Sequence, residues 1–278
     1  MKKLPIFCGA GTAMITPFTK DGKIDFDSLE RLIELQLKAG IKALIVCGTT
    51  GEASTLTKEE RIRITSFAKE KAKNDCKIIT GTGCNDTAKA VEFTRDAAEA
   101  GADGILAVTP YYNKTTQRGI VKYYGEICGA TETPVIAYNV PSRTGLNIPP
   151  TTAKELCGIP NLCGIKEASG NMAQITEMSF LCGKELPIYS GSDEINVPVF
   201  SVGGIGVISV LSNAFPEKVR EMCDCCLKGD FERARAIQLE TYPMIKRLFS
   251  SVNPIPVKKY LYEKGLTEYY LRPPLYAE

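Results

Sequence analysis

Leu162-Cys163-Gly164-Ile165-Lys166-Glu167 reads as an apolar strand that ends in an ammonium. An uninterrupted apolar run is the pattern of a parallel strand covered on both faces. Seven other short runs share it, at 11–16, 43–47, 77–82, 104–109, 134–139, 186–190 and 206–210. Helix punctuation fills the gaps. Asp25 caps a helix whose Leu29, Leu32, Ile33 and Leu37 share a face, with Gly40 as its stop. Thr57-Lys58-Glu59-Glu60 has the form of a capping box, Asn85 or Asp86 opens a third helix ending at Gly101, and Thr152-Ala153-Lys154-Glu155 reads as a second box. Eight strand–helix units with right-handed crossovers close most simply into an α/β fold, a (β/α)₈ TIM barrel, expected over residues 1–215. A doubly wound open sheet is the alternative.

A C-terminal helical appendage is expected over 216–278. Pro216 and Gly229 bracket one helix, Asp230 caps a long amphipathic one reaching about Phe249, and a third follows Asn253-Pro254-Ile255-Pro256 up to Gly265. The 278 residues suit one barrel with such an addition. A net charge of +2 without a basic stripe points to neither nucleic acid nor a membrane surface. Met1 to Phe7 shows no leader pattern, and no stretch of ~18 apolar residues suggests a membrane span. A cytoplasmic protein is the expectation.

Eleven cysteines, among them Cys8, Cys47, Cys163 and Cys182, fit free thiols in a reducing compartment. Cys223-Asp224-Cys225-Cys226 places three thiols in four helical residues, which cannot face one point, so helix packing is the simpler reading than a metal site. The chain contains no histidine. That removes Ser-His and Cys-His nucleophile pairs, histidine bases and histidine metal sites. Chemistry here must run through lysine, tyrosine, threonine, arginine or carboxylates, and no cofactor or metal is expected.

Lys166 is therefore the residue to explain. It can be a snorkelling or ion-paired lysine, with Glu167 as the near partner. Alternatively, a dry surround favours the neutral amine, and a neutral amine attacks a ketone to make a Schiff base. Active sites of such barrels lie at the carboxyl ends of the strands. Those positions supply Gly48-Thr49-Thr50-Gly51-Glu52, Thr109-Pro110-Tyr111-Tyr112-Asn113, Tyr138 through Gly145, Lys166, Gly191-Ser192-Asp193 and Gly206-Val207-Ile208-Ser209. The glycines at 203–206 precede a strand, the wrong end for a mouth ligand, and read as a helix stop and turn. Each of the others alone has a structural reading as turn, core tyrosine or solvated arginine. Together they describe one reaction: Lys166 joins a 2-oxo acid, and Tyr138 moves protons. Thr49 links Tyr138 to Tyr112, amides around Thr49 and Thr50 hold the carboxylate, and Arg143 grips a second acidic partner.

These motifs, with Gly164-Ile165-Lys166-Glu167 and Asn253-Pro254-Ile255-Pro256-Val257-Lys258, resemble the dihydrodipicolinate synthase (4-hydroxy-tetrahydrodipicolinate synthase) family of class I aldolases. The resemblance implies condensation of pyruvate with L-aspartate-4-semialdehyde in lysine biosynthesis by the diaminopimelate route. It implies Lys166 as Schiff-base lysine, Tyr138 as proton donor and acceptor, and Thr49 and Tyr112 as relay members, Tyr112 reaching into a neighbouring subunit's site. Thr50 and Ile208 match pyruvate contacts, and Arg143 the residue near the semialdehyde carboxylate. A homotetramer built from tight dimers is implied too. N-acetylneuraminate lyase and 2-keto-3-deoxy sugar-acid aldolases share the barrel, lysine and tyrosine; Arg143 and the doubled Thr49-Thr50 favour the synthase. A barrel that merely binds a metabolite is the reading from another class.

One departure concerns regulation. Lysine-inhibited relatives bind their effector at positions matching Ala53, Ser54, Lys58, Arg61, Asn85, Lys89 and Tyr111. Three of these are cations here. Like charges at contact range disfavour binding by roughly 1 kcal/mol or more each, so weak or absent feedback by lysine is expected.

Overall fold

The computed structural model describes residues 3–277. Met1 and Lys2, read as the start of a segment without a leader, lie outside the described residues, as does Glu278. In chain order the elements are β1 (Gly9–Ala13), α1 (Phe26–Lys38), β2 (Ala43–Val46), α2 (Lys58–Ala72), β3 (Lys77–Gly81), α3 (Thr87–Glu99), β4 (Gly104–Val108), α4 (Gln117–Gly129) and β5 (Val135–Asn139). They continue with α5 (Pro141–Thr144), α6 (Pro150–Leu156), β6 (Leu162–Glu167), α7 (Met172–Cys182), β7 (Ile188–Ser190), α8 (Asn196–Ser201), β8 (Gly206–Ser209), α9 (Pro216–Lys228), α10 (Phe231–Leu248) and α11 (Ile255–Glu263). Each strand pairs in parallel with the next, and β8 returns to β1, so the sheet is a closed eight-stranded barrel.

The helix starts follow from their caps. Asp25 accepts from the Ser28 amide, Asp86 from Ala88 and Lys89, and Thr57 and Glu60 close the capping box on α2. The second box does not form. α6 begins two residues before Thr152, with Pro150 in its first turn, where a missing N–H removes no bond. Thr152 lies within that helix, and its hydroxyl donates to Gln117 Oε1 at 2.9 Å. The first strand also lies earlier than expected. Beyond Met14, whose amide still donates to the Ile45 carbonyl at 3.0 Å, the chain leaves the ladder, the Ile15 amide turning to Asn213 Oδ1 and the Thr16 hydroxyl to the Gly51 carbonyl.

After β8, α9 packs against β1 with Val219, Met222, Cys223 and Cys226 buried, and α10 packs outside it. Gly229 ends α9 with a left-handed φ of 83°, and Asp230 caps α10. The barrel interior is filled from below by Phe7 and Tyr189, whose rings stack at 4.7 Å while the Tyr189 hydroxyl donates to the Phe7 carbonyl. Room for them comes from missing side chains. A Cβ on Gly164 would stand 3.0 Å from the Tyr189 ring, and one on Gly11 2.8 Å from Phe7. Gly164 lies two residues before Lys166, hence on the same face of β6. An aromatic floor thus closes the barrel beneath the lysine. Among the described residues, no helix is long and apolar enough to cross a membrane.

Candidate active site

Lys166, the last residue but one of β6, lies beside Tyr138 of β5, its register partner. Both are buried, and Lys166 Nζ stands 4.2 Å from the centre of the Tyr138 ring. A cation over a π face is attracted to it, and the ring also shields the amine from water. The stem of Lys166 needs the bare backbone of Gly191, because a Cβ there would lie 2.9 Å from Lys166 Cε. Glu167 does not pair with the lysine. Alternation along the strand sends it to the opposite face, where its carboxylate accepts from Asn139 Nδ2 at 2.8 Å and the Ser169 amide at 2.7 Å. Burial raises the Glu167 carboxyl above the usual range. Among the described residues no carboxylate forms an ion pair with Lys166.

Tyr138 also lines a cavity of about 350 Å³, whose wall does not include Lys166 itself. Thr49, Tyr138 and Arg143 line it, as do Tyr111, Asn253, Pro274 and Leu275. The loop after β2 carries Thr49 through successive turns: the Gly51 amide donates to the Gly48 carbonyl and the Glu52 amide to that of Thr49. Cys47 and Glu52 bound it with left-handed φ values of 53° and 55°. Neither residue favours that region, so the loop is held in a shape its sequence alone would resist. The amides of Thr49 and Thr50 bond no backbone carbonyl among the described residues, which leaves both donors available to an anion.

The restraint on that loop comes from the C-terminal helices. Glu52 forms an ion pair with Lys258 of α11, both almost wholly removed from solvent. Lys258 also donates to the Tyr270 carbonyl at 2.9 Å, and the Arg272 amide donates to the other Glu52 oxygen at 3.0 Å. Burial brings the Lys258 ammonium down to about 8 despite Glu52. Asn253, just before α11, donates to the Thr50 hydroxyl at 3.0 Å, and its carbonyl accepts from Arg143 Nη2 at 3.2 Å. Arg272 grips Glu60 with two guanidinium nitrogens and lays Pro274 and Leu275 along the cavity wall.

Four of the expected residues therefore meet: Lys166 and Tyr138 in contact, with Thr49 and Arg143 on the same cavity. Thr50 and Ile208 are buried, Thr50 tied to Asn253 and Ile208 paired with Gly11. Tyr112 is not brought in. It stands 90% exposed with a φ of 69°, and no hydrogen bond among the described residues joins it to Thr49 or Tyr138. Asp193 serves structure, its carboxylate capping the amides of Val210 and Leu211 at 2.9 Å each. Sequence reading quoted Glu52 and Asn253 within motifs but gave them no role, and it missed the Pro274-Leu275 wall, which no motif marked.

A lysine near the carboxyl end of a closed (β/α)₈ barrel strand, against a tyrosine that lines an arginine-rimmed cavity, defines the class of aldolase-like lyases. A family model described as the dihydrodipicolinate synthetase family matches residues 6–277, and the chain belongs to that family. It is 50% identical over 256 residues to a protein of Caldicellulosiruptor saccharolyticus named 4-hydroxy-tetrahydrodipicolinate synthase, covering 92% of this chain and 86% of the other. The crystal structure of dihydrodipicolinate synthase from Aquifex aeolicus superposes with a TM-score of 0.95 at 41% identity, over 98% and 93% of the two chains. The chloride-inhibited dihydrodipicolinate synthase of Acinetobacter baumannii, solved as a complex with pyruvate, gives 0.95 at 39% identity, over 97% and 93%.

Proposed function

We propose that this chain is a lyase that condenses pyruvate with L-aspartate-4-semialdehyde to give 4-hydroxy-tetrahydrodipicolinate. The observation that carries the reading is a buried lysine with no carboxylate partner among the described residues, set 4.2 Å from the ring of Tyr138, which lines the mouth cavity. Lys166 Nζ attacks the pyruvate ketone, water leaves, and an iminium forms. Its positive nitrogen draws electrons from the neighbouring methyl, which loses a proton to give an enamine. The enamine carbon attacks the aldehyde, and the semialdehyde's own amine then closes the ring on the iminium carbon and releases Lys166. Tyr138 carries the protons, with Thr49 as the hydroxyl able to donate and accept beside it. The free amides of Thr49 and Thr50 suit the pyruvate carboxylate, and Ile208 packs against its methyl side. Arg143 suits the semialdehyde carboxylate.

Tyr112 completes the relay only if a second copy supplies it, and its exposure supports a homo-oligomer, read as a tetramer built from tight dimers. The protein works in the cytoplasm, where all eleven cysteines, free in this structure, stay reduced. A coupled assay offering pyruvate with aspartate semialdehyde, beside pyruvate with N-acetylmannosamine, tests the assignment. Turnover only with the semialdehyde is expected; turnover only with the sugar would move the chain among the sugar-acid lyases.

Feedback by lysine is proposed to be weak or absent. Lys58 is held by Glu92 at 2.6 Å and by Asp96 at 3.2 Å, while Arg61 donates to the Gly81 and Ala53 carbonyls and lies over the Phe93 ring. These cations are fixed in place and leave few acceptors for an incoming ammonium. Clear inhibition in the same assay at low lysine concentration would overturn this expectation.

A further inference from the structure

Asn253 stands between the loop after β2 and the arginine on the cavity wall. Its side chain donates from Nδ2 to the Thr50 hydroxyl at 3.0 Å, and its backbone carbonyl accepts from Arg143 Nη2 at 3.2 Å. Asn253 lines the mouth cavity together with Thr49 and Arg143, yet only 7% of it is exposed, and only 4% of Thr50. The bonded side chains lie 203 residues apart in sequence. Their contact exists because the Glu52–Lys258 pair seats α11 against that loop.

The other end of the same amide is unpartnered. Asn253 Oδ1 is buried and has no hydrogen-bond partner among the described residues. An orphaned buried acceptor costs stability, and an apolar side chain of the same shape would avoid that cost. Packing therefore does not account for an asparagine at this position. What asparagine supplies, and an apolar residue does not, is the Nδ2 donor. A hydroxyl has two lone pairs and a single proton. With Nδ2 donating into a lone pair, the Thr50 proton is turned away from Asn253, and no protein acceptor takes it among the described residues.

We propose that Asn253 is a positioning residue for the keto acid: it fixes the polarity of the Thr50 hydroxyl, so that this O–H joins the free amides of Thr49 and Thr50 as a donor to the pyruvate carboxylate. The inference rests on the reading that pyruvate forms its adduct on Lys166. Asn253 acts through Thr50 rather than on the substrate. A hydroxyl held as a donor binds an anion better than one free to present a lone pair, because the charged acceptor strengthens the bond and repulsion from the lone pair is avoided. Arg143 is held by the backbone carbonyl of Asn253, which a change of side chain leaves in place. The aldehyde side is therefore expected to be spared when the asparagine side chain is replaced.

The test uses the full-length enzyme and reads the pyruvate concentration that gives half-maximal borohydride-trapped adduct by intact mass, beside KM values from the coupled assay. Asn253→Leu, close in shape, removes the donor. It is expected to raise the half-maximal pyruvate concentration about 10-fold, as for one hydrogen bond to a charged group. The KM for the semialdehyde and the urea midpoint are expected to stay where they are, since the orphaned acceptor leaves with the donor. Asn253→Asp accepts where asparagine donates, draws the Thr50 proton back and adds a negative charge; about 100-fold is expected. In a Thr50→Val background Asn253→Leu is expected to cost nothing further, because no hydroxyl remains to be oriented. An unchanged pyruvate requirement in Asn253→Leu overturns the proposal, as does the same loss in the Thr50→Val background or an equal rise in both KM values. Wild-type protein that traps no pyruvate defeats the functional reading itself, a result distinct from each of these.

Discussion

Lys166 and Lys258 are both removed from water, at 6% and 0% exposure, yet their neighbours differ. Lys258 has a carboxylate, a carbonyl and the Phe18 ring around its ammonium. Lys166 has only the Tyr138 ring against its nitrogen, with no carboxylate in ion-pair contact among the described residues. An ammonium that is fully paired is fixed in place as a strut between the second strand's loop and the C-terminal helices. One that lacks a counter-charge leaves its nitrogen unengaged by any ion pair and open to a reacting partner. Burial by itself does not separate the two roles; the partner does.

Replacing each lysine separates them further. Lys166→Ala should abolish the covalent mass gained when pyruvate is trapped with borohydride; an unchanged adduct would transfer the role to Lys258. Tyr138→Phe should retain some adduct while turnover falls about 10²–10³-fold, the loss typical of a positioned acid–base group. Normal turnover in that variant would remove Tyr138 from proton transfer. Lys258→Met should still form the adduct but lose about 3–5 kcal/mol of stability in urea unfolding, since Glu52 is left buried without its partner. Its pH profile adds a sign. Lys258 sits at about 8 in the folded chain and at 10.5 when unfolded, so the unfolded state holds the extra proton between those values. The contribution of this group to stability therefore rises with pH over about 8–10.5 and is lost as pH falls through 8; the Met variant should lack that rise. Arg143→Ala should mainly raise the KM for the semialdehyde, by about 10–100-fold, as expected for one charge-assisted contact. A change confined to pyruvate would reassign it.

Much of this was legible in the sequence because barrel geometry makes function local. Lys166, Tyr138, Thr49 and Arg143 each follow or end an apolar run, and the fold brings such ends together whatever the loops do. Helices capped by Asp25, Thr57 and Asp230 were legible for the same reason: a cap acts within one turn. Thr152 misled because the Pro149-Pro150 pair starts α6 earlier, leaving the threonine hydroxyl to a neighbouring helix. The Glu52–Lys258 pair was illegible, since its members are distant in sequence and only tertiary packing makes them neighbours. The cavity wall from Pro274 and Leu275 was hidden likewise, being set by what Arg272 grips.

The stacked rings of Phe7 and Tyr189 make the reaction chamber a dead end. Whatever reaches the amine arrives through the same door by which product departs, so molecules must queue.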